Sequence, residues 1–226
     1  MNGELIQFAG GEEVYEGYLS VPSSGSGPGV IVIQEWWGLV PHILAVTDRF
    51  AAAGFTALAP DLYRGVRAED PDEAASLMMA LHIGDTSKLL ASAIDALIED
   101  PATTGERVGV VGFCMGGQLS LYAACDNWKI AACIDYYGIH PNVQPVLREL
   151  SGPLLGFFAE HDDYAGPDQV HALTEELTLL GKPHEFITYP GTHHAFFNDT
   201  RPAYNKEAAD DSWKRAVAFF HESLSS

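Results

Sequence analysis

The sequence predicts an α/β fold in which a mostly parallel central sheet carries helices on both faces. Strand-like and helix-like segments alternate along the 226 residues, which is the pattern typical of parallel sheets. The run GVIVIQ, Gly29 to Gln34, is a continuous apolar and β-branched segment, as expected of a strand buried on both faces. No repeat, low-complexity tract or linker interrupts the alternation, so residues 1–226 are predicted to form a single domain.

The first half of the chain is predicted to begin with an edge strand at Glu13–Val21, where apolar and polar residues alternate loosely. An exposed loop at Pro22–Gly29 leads into the buried strand. Pro41 then opens a helix with apolar residues at helical spacing, and Gly54 ends it. The same criteria predict the other elements of this half, a strand at Phe55–Tyr63 and helices at Asp72–Leu81 and Thr86–Ile98.

The second half opens with a central strand at Arg107–Phe113, and a helix follows at Gln118–Cys125 after a glycine-rich corner. A final helix is predicted from Lys206 to Leu224 because Trp213 and Phe220 share one face of it. Between them the alternation predicts strands at Ile130–Tyr137, Pro153–Glu160 and His184–Pro190 and a helix at Asp168–Leu180.

Composition excludes several classes of function. Thirty-one acidic against twelve basic residues give a formal net charge of −19, so we expect neither a nucleic-acid nor a membrane partner. Three cysteines, an odd number, fit a reducing cytoplasm, and Cys125 and Cys133 have the apolar neighbours of core residues. No secretory signal precedes the first strand and no apolar run could span a bilayer. We therefore expect a cytoplasmic monomer or small homo-oligomer.

The corner GFCMG carries the first chemical signal. It matches the G-x-S-x-G elbow of the α/β-hydrolase fold, with Cys114 in the place of the serine. Gly112 and Gly116 remove side chains that would collide across the sharp turn. The N–H of Met115, first in the helix, would face an oxyanion, and the positive end of the helix favours a thiolate. The alternative is a small buried apolar cysteine without chemistry.

An acid and a base follow at the ends of later predicted strands. Cys114, Asp162 and His194 occur in the order nucleophile, acid, histidine, which is the order of the α/β-hydrolase triad. His194 would take the thiol proton and Asp162 would fix its tautomer. Asp163 and His193 are adjacent competitors for the two roles.

A metal site is an alternative use of the polar residues after the last two strands. None of them shows a ligand spacing such as H-x-x-x-H, so neither a metal nor another cofactor is predicted. The residues concerned are His161, Asp162, His193 and His194.

These motifs resemble those of the dienelactone hydrolases (carboxymethylenebutenolidases), a family of the α/β-hydrolase superfamily. The similar segments are GFCMGG, VIVIQEWWG, ALAPDLY, YYG at Tyr136 to Gly138, and GTHHAFFND, and they cover nearly the whole chain in order. The resemblance implies hydrolysis of a small activated ester or lactone by a Cys114–His194–Asp162 triad through a thioester acyl-enzyme.

The resemblance also assigns roles that spacing alone does not. It implies that Glu35 lies close to the resting thiol, opposes a permanent thiolate and accepts the thiol proton when substrate arrives. It makes the N–H of Trp36 the second oxyanion donor. The candidate substrate contacts that it implies are Tyr137, Phe196, Asn198 and Arg201.

The chain departs from the family at the residues that bind a substrate carboxylate. The family's arginines lie in the helical region after the PDLY strand and four residues after the catalytic histidine. Here the segment Pro71–Asp85 contains no arginine, and Asn198 stands four residues after His194. Arg201, or Arg64 and Arg67, would have to substitute. We therefore expect neutral activated esters to be hydrolysed at least as well as carboxylated lactones.

Two further functions compete with hydrolysis. One is a non-hydrolytic thiol redox protein that uses Cys114, although no resolving cysteine lies close in the sequence. The other is a catalytically silent binding protein on an α/β-hydrolase scaffold. Neither a redox protein nor a binding protein requires a complete set of nucleophile, acid and base. The sequence therefore favours the hydrolase.

Overall fold

The structure is a computed structural model that describes residues 3–138 and 140–224. Its strands are β1 (Glu4–Gly10), β2 (Glu13–Ser20), β3 (Gly27–Ile33), β4 (Thr56–Pro60), β5 (Thr103–Phe113), β6 (Ile130–Tyr136), β7 (Leu154–His161) and β8 (His184–His193). They form one eight-stranded sheet in the order β1-β2-β4-β3-β5-β6-β7-β8. β2 pairs antiparallel with both β1 and β4, whereas every other neighbouring pair is parallel. The predicted mostly parallel sheet is confirmed.

Helices cover both faces of the sheet. They are α1 (Pro41–Ala52), α2 (Pro71–Ala80), α3 (Ile83–Glu99), α4 (Met115–Asp126), α5 (Pro167–Leu179) and α6 (Lys206–Leu224). Phe50 of α1 packs against Phe220 of α6 with ring centroids 5.9 Å apart. Gly109 of β5 faces Phe220, whereas Gly29 of β3 faces α3 on the other side. Among the described residues, no helix has the length and apolar character needed to cross a membrane.

The N-terminal part of the sheet differs from the prediction. Glu4–Gly10 forms a strand that the sequence analysis did not identify, and it occupies the edge. The strand at Glu13–Ser20, predicted to be the edge strand, is therefore an interior strand between β1 and β4. Gly11, whose φ is +68°, makes the tight hairpin turn between the two. The residues of β1 lack a clear apolar alternation, so the sequence pattern does not predict this strand. Its backbone pairing with β2 determines it.

Several boundaries also move. β3 begins at Gly27, inside the predicted loop, and β5 begins at Thr103 rather than Arg107. α4 begins directly after Cys114 rather than at Gln118. The sequence pattern predicted the later start because the glycines in the first turn have a low helix propensity. A short 3₁₀ helix, Leu147–Glu149, was not predicted.

The topology brings the predicted site residues to one edge of the sheet. β3, β5, β7 and β8 are part of the same parallel set, so their carboxyl ends lie along one edge. Glu35 follows β3, Cys114 follows β5, Asp162 follows β7 and His194 follows β8. Residues that are up to 159 positions apart in the sequence, 35 to 194, are thus placed in one region.

Candidate active site

Cys114 lies in a strained turn between β5 and α4. Its φ is 55° and its ψ is −122°, an uncommon conformation for a residue other than glycine. A Cβ atom at Gly112 would overlap the carbonyl oxygen of Gly116, and one at Gly116 would overlap the carbonyl oxygens of Ile33 and Gln34. Both glycines are therefore required by close backbone approach. The turn is the elbow that the GFCMG motif predicted, and the Cys114 N–H donates to the Tyr136 carbonyl at 3.0 Å.

His194 links Cys114 to Asp162. Its Nδ1 lies 2.7 Å from Asp162 Oδ2, and its side chain shares a hydrogen bond with the Cys114 thiol. Asp162 is fully buried, and its Oδ1 accepts from the backbone N–H groups of Tyr164 and Ala165 at 2.9 and 3.1 Å. These bonds fix the carboxylate, which in turn fixes the imidazole ring. The three side chains form the continuous chain of contacts that a nucleophile, base and orienting acid require.

Electrostatics favour a charged imidazole at this place. Burial by itself lowers the pKa of His194, but hydrogen bonds to Asp162 and Cys114 and their charges outweigh it and raise the pKa to about 10. Burial by itself raises the pKa of Asp162, yet the bonds from His194 and two backbone N–H groups hold it below its ordinary value. These contacts therefore stabilise the charged form of the imidazole beside the Asp162 carboxylate.

The competing residues lie outside this chain of contacts. His193, the last residue of β8, is exposed, and its ring centroid lies 5.4 Å from that of His161. Asp163 is also exposed. Within residues 3–138 and 140–224, no three potential metal ligands come together. Among the paired candidates, the structure thus brings Asp162 and His194 to the thiol.

Glu35 lies buried in the same region, two residues after β3. Its side chain is removed from solvent, and its Oε2 accepts from Asn198 Nδ2 at 2.6 Å. Burial raises the pKa of Glu35, while His42, Asn198, His194 and Arg201 each lower it. In this arrangement the carboxylate is bonded to Asn198 and the thiol to His194. The sequence analysis did not identify the Asn198 contact, because residues 163 positions apart carry no spacing signal.

Met115 and Trp36 are the two candidate donors of a backbone N–H group to an oxyanion. Met115 is the first residue of α4, so its N–H has no acceptor within the helix. Its sulfur accepts from the Tyr63 hydroxyl at 3.2 Å. Trp36 follows Glu35 directly and lines the cavity beside Cys114.

A cavity of about 320 Å³, here called the thiol pocket, opens onto these groups. Cys114, His194 and Glu35 supply its reactive and charged atoms. Its walls are mostly apolar, and its volume lies in the range of pockets that bind small organic molecules. The other lining residues are Trp36, Trp37, Met78, Tyr164, Ala195, Arg201, Pro202 and Ala203.

The predicted substrate contacts fall into two groups. Arg201 lines the pocket; its guanidinium carbon lies 3.7 Å from the Trp37 ring centroid, and its Nε has no partner among the described residues. Tyr137, Phe196 and Asn198 are buried and are not among the residues that line the pocket. The Tyr137 ring lies 5.0 Å from the His194 ring and 5.3 Å from the Phe196 ring, so Tyr137 packs between the histidine and Phe196.

The other two arginines considered lie elsewhere. Arg64 is exposed and forms an ion pair with Glu13 on the surface. Arg67 is exposed, and neither residue lines the thiol pocket. Of the three arginines considered in the sequence analysis, Arg201 is therefore the one that reaches the cavity.

Comparison with known proteins gives a consistent result. The model of the "Dienelactone hydrolase family" matches residues 15–224. The chain is 36% identical to "Protein usf" of Aquifex pyrophilus over 98% of this chain and 99% of that protein. It is 30% identical to a "Putative carboxymethylenebutenolidase" of Aquifex aeolicus strain VF5 over 96% of this chain and 97% of that protein. Both matches span almost the full length of each chain.

A solved structure is similar over the whole fold. It is described as a "Putative Dienelactone Hydrolase from Klebsiella pneumoniae subsp. pneumoniae MGH 78578". The TM-score is 0.86 at 26% sequence identity, and the match covers 96% of this chain and 98% of that one. The arrangement of sheet and helices is therefore shared along nearly the entire length of both proteins.

Proposed function

The chain belongs to the dienelactone hydrolase family, and we propose that it hydrolyses activated carboxylic esters or lactones with the Cys114 thiolate as nucleophile. The family is one of hydrolases that act on lactone or ester bonds. One observation carries the proposal for the mechanism. His194 is bonded both to Asp162 and to a thiol that lies in an elbow at the wall of a small apolar pocket.

In the proposed first half-reaction, the Cys114 thiolate attacks the carbonyl carbon and a C–S bond forms while the carbonyl electron pair moves to oxygen. The N–H groups of Met115 and Trp36 donate to this oxyanion. When the intermediate collapses, the C–O bond to the leaving group breaks and the His194 imidazolium gives that oxygen its proton. The product is a thioester on Cys114 and neutral His194.

In the second half-reaction, neutral His194 takes a proton from water, whose oxygen attacks the thioester carbonyl. The C–S bond then breaks, the carboxylic acid leaves, and the thiolate and imidazolium are restored. Asp162 stabilises the imidazolium in both halves without itself becoming protonated. A thiolate leaves a tetrahedral intermediate more readily than an alkoxide does, so a thiol suits esters with a good leaving group, such as enol or aryl esters.

Glu35 is proposed to control the thiolate. Its carboxylate is buried in the thiol pocket together with Cys114, where low dielectric makes like-charge repulsion strong. An ionised Glu35 makes the thiolate harder to form and so protects the thiol from oxidation between turnovers. Acceptance of a proton by Glu35 when substrate enters would remove that repulsion.

The variant Glu35→Gln tests this control. Without the negative charge, the resting thiol should react with iodoacetamide near pH 7 about tenfold faster, since one pKa unit corresponds to a factor of ten. Ester hydrolysis should become slower, because no carboxylate remains to accept the proton. Glu175→Gln, an exposed carboxylate on α5, is the matched control. Unchanged alkylation in Glu35→Gln would exclude the proposed control.

Substrate charge is the second point to test. The pocket is mostly apolar, and its lining includes one arginine, Arg201, and one buried carboxylate, Glu35. We therefore expect a neutral aryl ester to show a kcat/KM at least equal to that of a carboxylated lactone of similar size at low ionic strength. The comparison uses purified protein and follows product release. A strong preference for the carboxylated substrate, lost in Arg201→Gln, would show that Arg201 binds the carboxylate instead.

A further inference from the structure

His42 is a buried titratable residue that the proposed mechanism does not use. It lies in the first turn of α1, with a side chain that is 4% exposed. Its Nδ1 lies 3.1 Å from Asp199 Oδ1, and its Nε2 is buried and has no hydrogen-bond partner among the residues that the structure describes. A histidine held this way by a carboxylate has a fixed ring orientation.

Glu35 needs a positive charge nearby if it is to be ionised. A buried carboxylate without a counter-charge takes up a proton instead, because desolvation disfavours its charged form. Among the residues that the structure describes, the side-chain hydrogen bond to Glu35 comes from the neutral amide of Asn198. Of the charged groups that lower the pKa of Glu35, His42 has the largest effect, ahead of His194 and Arg201.

The turn after β8 connects the two pairs. Asn198 donates to Glu35, and the next residue, Asp199, is bonded to His42. The dipeptide Asn198–Asp199 therefore positions the Asn198 amide beside the Glu35 carboxylate and the Asp199 carboxylate beside the His42 imidazole. Asp199 is 67% exposed. The pair thus reaches from the buried site to solvent, where protons can be exchanged.

We propose that His42, held by Asp199, is a positioning residue that supplies the counter-charge for Glu35 and keeps it ionised in the resting enzyme. The inference rests on the proposed role of Glu35. Loss of the charge on His42 would let Glu35 take up a proton, and its repulsion of the Cys114 thiolate would disappear. His42 acts through Glu35 and does not touch the reacting atoms.

Other charged groups face the same two residues. Glu35 is also influenced by His194 and Arg201 from the segment after β8, and its own charge acts on Tyr137 after β6. Near His42, the Arg49 guanidinium of α1 lies 5.1 Å from the Phe197 ring centroid, and Phe197 also packs against the His42 ring. Arg49 is influenced by Asp199 as well. The test must therefore separate the effect of His42 from these contributions.

The experiment measures the rate of Cys114 alkylation by iodoacetamide in His42→Gln, Glu35→Gln and the double variant, from pH 5 to pH 8. His42→Gln is expected to speed alkylation near pH 7 by about the same factor as Glu35→Gln, roughly tenfold. In the double variant, His42→Gln should add less than about twofold, since both changes remove the same charge.

Two further variants keep the test decisive. Asp199→Asn changes an exposed side chain and should shift alkylation in the same direction by a smaller factor, even if His42→Gln proves unstable. His171→Gln, an exposed histidine on α5, should leave the alkylation rate unchanged.

The outcomes separate this inference from the proposed function. If Glu35→Gln speeds alkylation and neither His42→Gln nor Asp199→Asn does, His42 is not the counter-charge, while the role of Glu35 stands. If His42→Gln has its full effect in the absence of Glu35 as well, it acts by another route and the inference is wrong. If Glu35→Gln itself has no effect, the proposed control by Glu35 fails and the role of His42 fails with it.

Discussion

Replacing Cys114 with alanine is expected to abolish ester hydrolysis, with a loss of about four orders of magnitude or more in kcat, as removal of a nucleophile does in enzymes of this kind. The thiol sits in the elbow and shares a hydrogen bond with His194. The measurement is the rate of phenolate release from an activated aryl ester by the purified variant.

The serine variant is the control for this change. Cys114→Ser keeps the elbow, whose glycines fix the backbone, and keeps an oxygen where the sulfur was. A small residual activity is expected, because a serine hydroxyl is much less acidic than a thiol and is the weaker nucleophile beside the same base. Hydrolysis at a rate near that of the wild type in Cys114→Ala would exclude the thiol as nucleophile.

The second large effect is expected at the acid and base. His194→Ala should reduce hydrolysis almost as much as the cysteine change, because both half-reactions need a proton transfer through this ring. His193→Ala, its exposed neighbour, should matter far less. Asp162→Asn should cost roughly 10³- to 10⁴-fold in kcat by favouring the wrong imidazole tautomer, whereas Asp163→Asn should have little effect. The four rates are measured with one aryl ester.

These neighbouring pairs make the test internally controlled. His193 and His194, like Asp162 and Asp163, differ by one position in the chain but by burial and bonding in the structure. A larger loss in His193→Ala than in His194→Ala would show that the base is assigned one residue too late. The corresponding result for the aspartates would reassign the acid.

The sequence predicted the elbow because the constraint there is local. Gly112 and Gly116 are needed by backbone atoms within a few residues of Cys114 and by the adjacent β3, so the motif alone specifies the turn. The order of nucleophile, acid and histidine followed from the alternation of strands and helices, which the sheet confirms. The local turn constraints and the strand topology together were sufficient to predict which end of the sheet carries the candidate site.

What the sequence could not supply depends on contacts between distant segments. β1 exists because it pairs with β2, and its own residues give little periodic signal. The choice between Asp162 and Asp163 rests on the bend after β7, where two backbone N–H groups select one carboxylate. The contacts of Asn198 with Glu35 and of Asp199 with His42 join segments more than 150 residues apart, so no spacing pattern contains them.

The formation of an acyl-enzyme on Cys114 is the central claim, and mass spectrometry of the intact protein tests it most directly. The protein is mixed with an excess of an activated aryl ester, quenched in acid during turnover and digested for peptide mapping. The account predicts a mass increase of one acyl group, located on the peptide that contains Cys114 and released by neutral hydroxylamine as a thioester would be. An acyl group on a different residue would contradict it. So would steady turnover during which the thiol stays unmodified, with activity that persists after the thiol has been alkylated.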